Sequence, residues 1–282
     1  MGQLDEGPMD FRTLLVATDR SPDGRHAVGI ACRLSARAEA RLVLLEVVGV
    51  RGTEPIPNGR VVCGRRSAKT PELADLERWL GTTIDDCPAE TTELAVAYGI
   101  PGIEIGRIAE ARHVDLVVLG RRPRSADRPL LLGEIADAVV RRSPRPVLLV
   151  PPAIGQLVRV LVAFDGTDRT FVLLEPALAL AATLGASVSV VTVRTDQDPP
   201  AEPDLGRFTE ALARITAPGS VPRTRVRTGN PITEVLAEVE ETGADVLVIG
   251  YRRGGPPKVV EPADIARTLL YSAPSAVMTV PI

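Results

Sequence analysis

The sequence predicts an α/β protein made of two parallel-sheet domains in series, on three observations. Short runs rich in Val, Leu and Ile alternate with segments of helical period, the pattern of parallel strands joined by crossover helices. TLLVATDRS (Thr13 to Ser21) lines up with RVLVAFDGT (Arg159 to Thr167) at an offset of 146 residues. YGIPGIEIGRIAEARHVDLVVLG (Tyr98 to Gly120) lines up with TGNPITEVLAEVEETGADVLVIG (Thr228 to Gly250) at an offset of 130, so the first copy carries 16 extra residues. A repeat of this length is two domains rather than a solenoid. The expected boundaries are a tail at residues 1–10, a first domain at 11–152 and a second at 157–282.

The elements follow in order. Strands are expected near 13–18, 41–48, 92–98, 115–120 and 146–151, then near 158–164, 187–194, 222–227, 245–250 and 276–281. Ala27, Ile30, Ala31 and Leu34 form one apolar stripe at i, i+3, i+4, i+7, and Ser21-Pro22 supplies that helix with an N-cap and a first-turn proline. Pro176 falls inside the equivalent helix of the second copy and predicts a kink or a late start. Val50 to Thr70, with Gly52, Pro55, Pro57, Asn58, Gly59 and Gly64, has the composition of a mobile loop. Pro151 to Gln156 is a linker too short to let the copies part, which predicts that they pack together.

Composition excludes several classes. Of the 282 residues 45% are apolar and 24% charged, which argues against disorder. Net charge is −3 without a long basic run, so a nucleic-acid partner is not supported. Pro176 to Val193 is free of charge but is broken by Leu184-Gly185-Ala186, which favours helix then strand over a membrane span. Cys32, Cys63 and Cys87 are odd in number and lack C-x-x-C spacing; a disulfide framework or zinc site is not expected, and a reduced cytoplasmic setting fits. Cys32 reads as a small core residue, with Cys63 and Cys87 exposed. The P-loop, dinucleotide fingerprint and nucleophile-elbow motifs are all missing, which disfavours an enzyme.

LLVATDRS, the G-x-P of Gly99 to Pro101, DLVVLG, LLLGEIADAVVRRSPRPVLLV and the second-copy partners LVAFDGT, GNP, DVLVIG and ADIARTLLYSAPSAVMTVPI resemble the universal stress protein family over nearly the whole chain. The resemblance implies two open doubly wound sheets of the adenine-nucleotide alpha-hydrolase-like type, five strands each in the order 3-2-1-4-5. It also implies that the final strands pair the copies as an intrachain pseudo-dimer, a further homodimer staying open. Ligands of such sheets lie beyond the strands' carboxyl ends where the order reverses.

In nucleotide-binding relatives that place holds adenine and ribose, which here implies Ala17, Thr18, Asp19, Val47 and Gly120. The same relatives hold phosphates in G-x2-G-x9-G-[S/T], which carries over to Arg121, Gly133, Glu134 and Ile135. The pattern is incomplete: Pro123 stands for the second Gly and Glu134 for Ser or Thr. In the second copy the counterparts are Asp165, Val193 and Gly250, with Arg253, Ala263 and Asp264 replacing the rest of the motif. A carboxylate in the first helical turn complements the helix dipole and repels phosphate. Arg121, Arg122, Arg124 and Arg128, and Arg252, Arg253 and Lys258, crowd the two loops and read as solvated charge or as an altered phosphate site. Asp19 and Asp165 are equally explained as turn caps, and Val47 and Val193 as core.

The expected function is a non-catalytic, cytoplasmic regulator of stress physiology that takes ATP or AMP in the first copy and acts on an unidentified protein partner. The alternatives are a nucleotide-independent scaffold, and an adenine-nucleotide hydrolase or phosphotransfer protein using Asp19.

Overall fold

The computed structural model describes residues 10–49, 61–65, 70–84, 87–121, 134–152, 154–165, 167–195, 222–252 and 265–282. The chain divides into two compact units, Phe11–Ala153 and Ile154–Val280 in the main.

The first unit runs β1 (Thr13–Thr18), α1 (Pro22–Ala38), β2 (Arg41–Val48), β3 (Val61–Arg65), α2 (Pro71–Thr83), β4 (Thr92–Tyr98), α3 (Pro101–Ala111), β5 (Leu116–Gly120), α4 (Glu134–Arg142) and β6 (Val147–Val150). Its strand order is β3-β4-β2-β1-β5-β6. The parallel part is therefore the expected 3-2-1-4-5 arrangement, and β1 lies between β2 and β5, in register from Leu14 opposite Leu42 and Leu116. All six residues of β1 are buried, because helices cover both faces of a central parallel strand.

The expected stripe of α1 is the buried one, with Ala27, Ala31 and Leu34 at 1% exposure or less. Ser21 caps the helix by accepting a hydrogen bond from the Gly24 amide at 3.1 Å, and Pro22 opens it. Asp115, one residue before β5, accepts the Arg12 and Thr13 amides at 2.8 and 2.9 Å; Asp245 does the same for Val158 and Arg159. These repeated aspartates fix the start of the first strand in each copy, a structural role.

Two expectations need correction. Val61–Arg65, inside the expected loop, is a strand antiparallel to β4, with Val61 opposite Ala97 and Cys63 opposite Ala95. Gly59 ahead of it in the sequence and Gly64 within it masked a β-branched run short enough to be read as loop. The rest of that segment, 50–60 and 66–69, lies outside the described residues. Cys32 is buried as expected but bonds to Cys87, 55 residues away, with a Cα–Cα separation of 4.9 Å. Cys87 is buried, and only Cys63 is exposed and free.

The second unit runs β7 (Arg159–Ala163), a 3-10 helix (Asp168–Leu173), α5 (Leu174–Leu184), β8 (Ser187–Arg194), β9 (Arg223–Thr228), α6 (Pro231–Thr242), β10 (Val246–Tyr251), α7 (Ile265–Ser272) and β11 (Ala276–Pro281). Its order, β9-β8-β7-β10-β11, repeats 3-2-1-4-5. Pro176 has the predicted effect: the α-helix begins at Leu174, after one turn and more of 3-10 helix. Gly185, at φ 65°, ends α5 in a left-handed cap, and β8 follows directly. Among the described residues no helix is long and apolar enough to cross a membrane.

Candidate functional site

The carboxyl ends of β1 and β5 meet where the first sheet reverses its order. Ala17 is opposite Leu45 on one side and Leu119 on the other, so Thr18 and Gly120, the last residues of their strands, and Asp19 after them lie just past the end of the β1–β5 pairing. Thr18 is buried, and its Oγ1 accepts the Arg20 amide at 3.0 Å. Asp19 is exposed, and its Oδ1 accepts the Ser21 amide at 3.0 Å, the turn-capping bond foreseen for it.

Gly120 is where backbone approaches backbone. A Cβ there would lie 2.7 Å from the Asp23 carbonyl oxygen and 3.0 Å from the Gly24 nitrogen. Gly24 faces the same place from the other side, since its Cβ would lie 2.8 Å from Asp19 Oδ1 and 2.9 Å from Thr18 Oγ1. Thr18, Asp19, Gly24 and Gly120 are thus one cluster. Gly24 was missed in the sequence. Its signal was available: a glycine in a helix's first turn costs propensity and marks a close approach.

The remaining residues flank this cluster. Val47, opposite Ala97, is half-buried at the end of β2. Arg121 is 9% exposed and its amide donates to the Val150 carbonyl at 2.8 Å, so its backbone continues the ladder. Glu134 opens α4, and Ile135 beside it is 42% exposed. Gly133, Pro123, Arg122, Arg124 and Arg128 lie outside the described residues, as do Arg253, Lys258, Ala263 and Asp264.

Arg20 was also missed. Its φ of 59° is left-handed, an unusual setting for a side chain larger than glycine. Its guanidinium donates to Glu46 at the end of β2 and to Asp75 on α2, both at 2.6 Å. Those partners together raise the Arg20 pKa above its ordinary value against the opposing effect of burial, and the hydrogen bond from Arg20 holds the Asp75 carboxyl below its own. The cation next to the site is thereby already neutralised by this chain.

The second copy finishes its first strand differently. Where the first copy has Thr18 the second has Phe164, 4% exposed and edge-to-face with Phe171 at 5.1 Å. Asp165 Oδ1 accepts the Thr167 amide at 2.8 Å and the Thr167 and Thr170 hydroxyls at 2.7 Å each, a complete local cap. A Cβ at Gly250 would meet the Ile282 side chain at 3.1 Å, not a backbone group. Val193 is half-buried opposite Arg227.

With the fold and this geometry in hand, comparison with known proteins places the chain. Residues 10–151 and 158–281 each match the universal stress protein family. The chain belongs to that family. A universal stress protein of Synechocystis is 21% identical over 259 residues, covering 85% of this chain and 89% of that one. A universal stress protein of Thermus aquaticus is 30% identical over 142 residues, half of this chain and 98% of its own. Among solved structures, a universal stress protein of Archaeoglobus fulgidus superposes with a TM-score of 0.72 at 20% identity, over 97% of this chain and 99% of that chain. Similarity over the full length of that structure shows the same tandem α/β fold.

Proposed function

We propose that this universal stress protein is a non-catalytic regulator whose first copy binds an adenine nucleotide, ATP or AMP, and whose second copy does not. One observation carries the reading. At the switch point of the first sheet, Gly24 lets the start of α1 lie against Thr18 and Asp19 and Gly120 lets the end of β5 lie against the Asp23–Gly24 backbone, whereas in the second sheet Phe164 and Phe171 fill the corresponding strand end.

The residues present suit a nucleoside better than a polyphosphate. Asp19 is an exposed acceptor suited to ribose hydroxyls, and Gly120 and Val47 border it with backbone and apolar surface for a base. In the sequence the phosphate-holding pattern of the family is incomplete, with Pro123 and Glu134 at the places of a Gly and of Ser or Thr. Arg20 already serves Glu46 and Asp75 and offers no unpaired charge for a developing phosphoryl group, which disfavours phosphoryl transfer. Signal would then pass to a protein partner through the state of the first copy.

The test is to purify the chain without added nucleotide, release small molecules with acid, and separate them by anion exchange beside ATP, ADP and AMP. Release of adenine nucleotide, with no phosphate produced on prolonged incubation with ATP, is expected. Sustained phosphate release, lost in Asp19→Ala, would instead make the protein a hydrolase. No nucleotide in the extract and no heat on titration with millimolar ATP or AMP would make it a scaffold.

A further inference from the structure

We propose that Cys32 and Cys87 form a reversible thiol–disulfide switch, confined to the first copy, that fastens the corner between α2 and β4 to the middle of α1. The proposal stands apart from nucleotide binding and needs no ligand. Cys32 sits in the middle of α1 with 1% exposure, and Cys87 in the irregular segment before β4 with 7%. Their Cα separation of 4.9 Å falls in the range that a disulfide spans without moving the backbone.

Neighbouring contacts show what the bond fastens. A Cβ on Gly29 of α1 would lie 3.6 Å from Ile84 Cδ1, so α1 packs against the C-cap of α2. At the other end of α2, Asp75 reaches Arg20, two residues ahead of α1, at 2.6 Å. Helix α2 is thus tied to α1 at both ends, by an ion pair at one and by a covalent bond at the other. The Asp75 side chain is 53% exposed, and exposed ion pairs hold weakly. The disulfide is the decisive tether.

A permanent staple does not fit this domain. Disulfide frameworks serve small domains that lack a core. Here Leu14, Leu42, Leu44, Leu76, Leu80 and Leu94 are all fully buried. The second copy builds the same strand order without a cysteine, since all three cysteines of the chain belong to the first. The bond is therefore additional to the fold, and a bond that folding does not need is free to open and close.

In the opening direction, a thiolate of an external dithiol attacks Cys87 Sγ, which lies in the irregular segment and is reached by local opening. The Cys32–Cys87 bond breaks and Cys32 leaves as a thiolate that takes up a proton. The second thiol of the reductant then displaces Cys87 from the mixed disulfide. Two electrons and two protons reach the protein, and the reductant departs as a disulfide. A disulfide oxidant runs the same steps backwards.

The full-length protein is equilibrated with reduced or oxidised dithiothreitol, quenched in acid, labelled with N-ethylmaleimide after denaturation, and mapped by mass spectrometry. Oxidised protein should carry the label on Cys63 alone and reduced protein on all three cysteines, with interconversion in both directions. Amide exchange measured on the two forms should rise at least tenfold on reduction for residues 87–92 and around Cys32, and stay unchanged for 222–252. Cys63→Ser should keep the response, and Cys32→Ser/Cys87→Ser should exchange like reduced protein whatever the oxidant. Three labels after oxidation would overturn the proposal. So would a bond that survives excess dithiothreitol in the folded protein, or a reduction that leaves amide exchange unaltered. If the double variant fails to fold, the two redox forms of the native sequence decide alone.

Discussion

The two copies share one strand order but expose their third strands to different surroundings. In the first copy β4 reads TELAVAY, with Leu94, Ala95, Val96 and Ala97 buried, because β3 pairs along its edge and α2 packs over it. In the second, β9 reads RTRVRT and is exposed almost throughout. Its Arg225 and Arg227 are met from α6 by Glu234, Glu238 and Glu241, spaced four and three residues apart on one helix face. The contrast recurs at the strand ends, where one copy keeps glycines and an exposed Asp19 and the other a Phe pair and an Asp165 whose Oδ1 accepts three hydrogen bonds. A fold can thus be copied whole while its edge and its crevice are each rebuilt by a few residues, and function has to be argued copy by copy.

Substitutions sharpen this contrast, from the largest effect down. Phe164→Ala removes the aromatic plug of the second copy and should cost it about 3 kcal/mol, read by urea denaturation followed through amide exchange so that each copy is seen separately. Gly120→Val places a side chain against the Asp23 carbonyl and should cost the first copy about 2 kcal/mol. Gly250→Val should cost much less, since only the Ile282 side chain has to yield. Asp19→Ala should weaken AMP binding at least tenfold, about 1.4 kcal/mol, in calorimetry, with little change in stability.

Asp165→Ala should show the reverse, a loss of about 1 kcal/mol of stability through its cap and no change in binding. The smallest effect is electrostatic. The hydrogen bond from Arg227 lowers the Glu241 pKa, and that from Arg20 lowers the Asp75 pKa. A depressed folded pKa gives stability that is present above the unfolded value, about 4, and is lost as pH falls through the folded value. Arg227→Gln should therefore flatten the acid limb of the second copy's stability curve slightly, and Arg20→Gln that of the first.

The fold was legible because its signals are redundant: apart from β9, the strands of the parallel sheets are Val- and Leu-rich runs that occur in both copies, and Ser21-Pro22 and Leu184-Gly185 mark helix ends by local chemistry alone. Strand β3 was not, because Val61 and Val62 lie in a segment whose Gly and Pro content outweighs two β-branched residues, and only pairing with β4 reveals them. The disulfide was hidden because a bond across 55 residues has no spacing signature, and Cys32 was already accounted for by an apolar stripe. In the site, Asp19 and Gly120 were readable from the repeat. Gly24 carried only the general signal of a glycine in a first helical turn and Arg20 carried none, because the left-handed φ of Arg20 and the contacts that Gly24 makes exist only once β1, β5 and α1 are assembled.

Binding stoichiometry tests the central claim most directly. Calorimetric titration of nucleotide-free protein with AMP, repeated on Asp19→Ala and Asp165→Ala, should give one site per chain that Asp19→Ala alone removes. Two sites per chain, or one site that survives Asp19→Ala and disappears with Asp165→Ala, would contradict the account and place the ligand in the copy that Phe164 and Phe171 were taken to close.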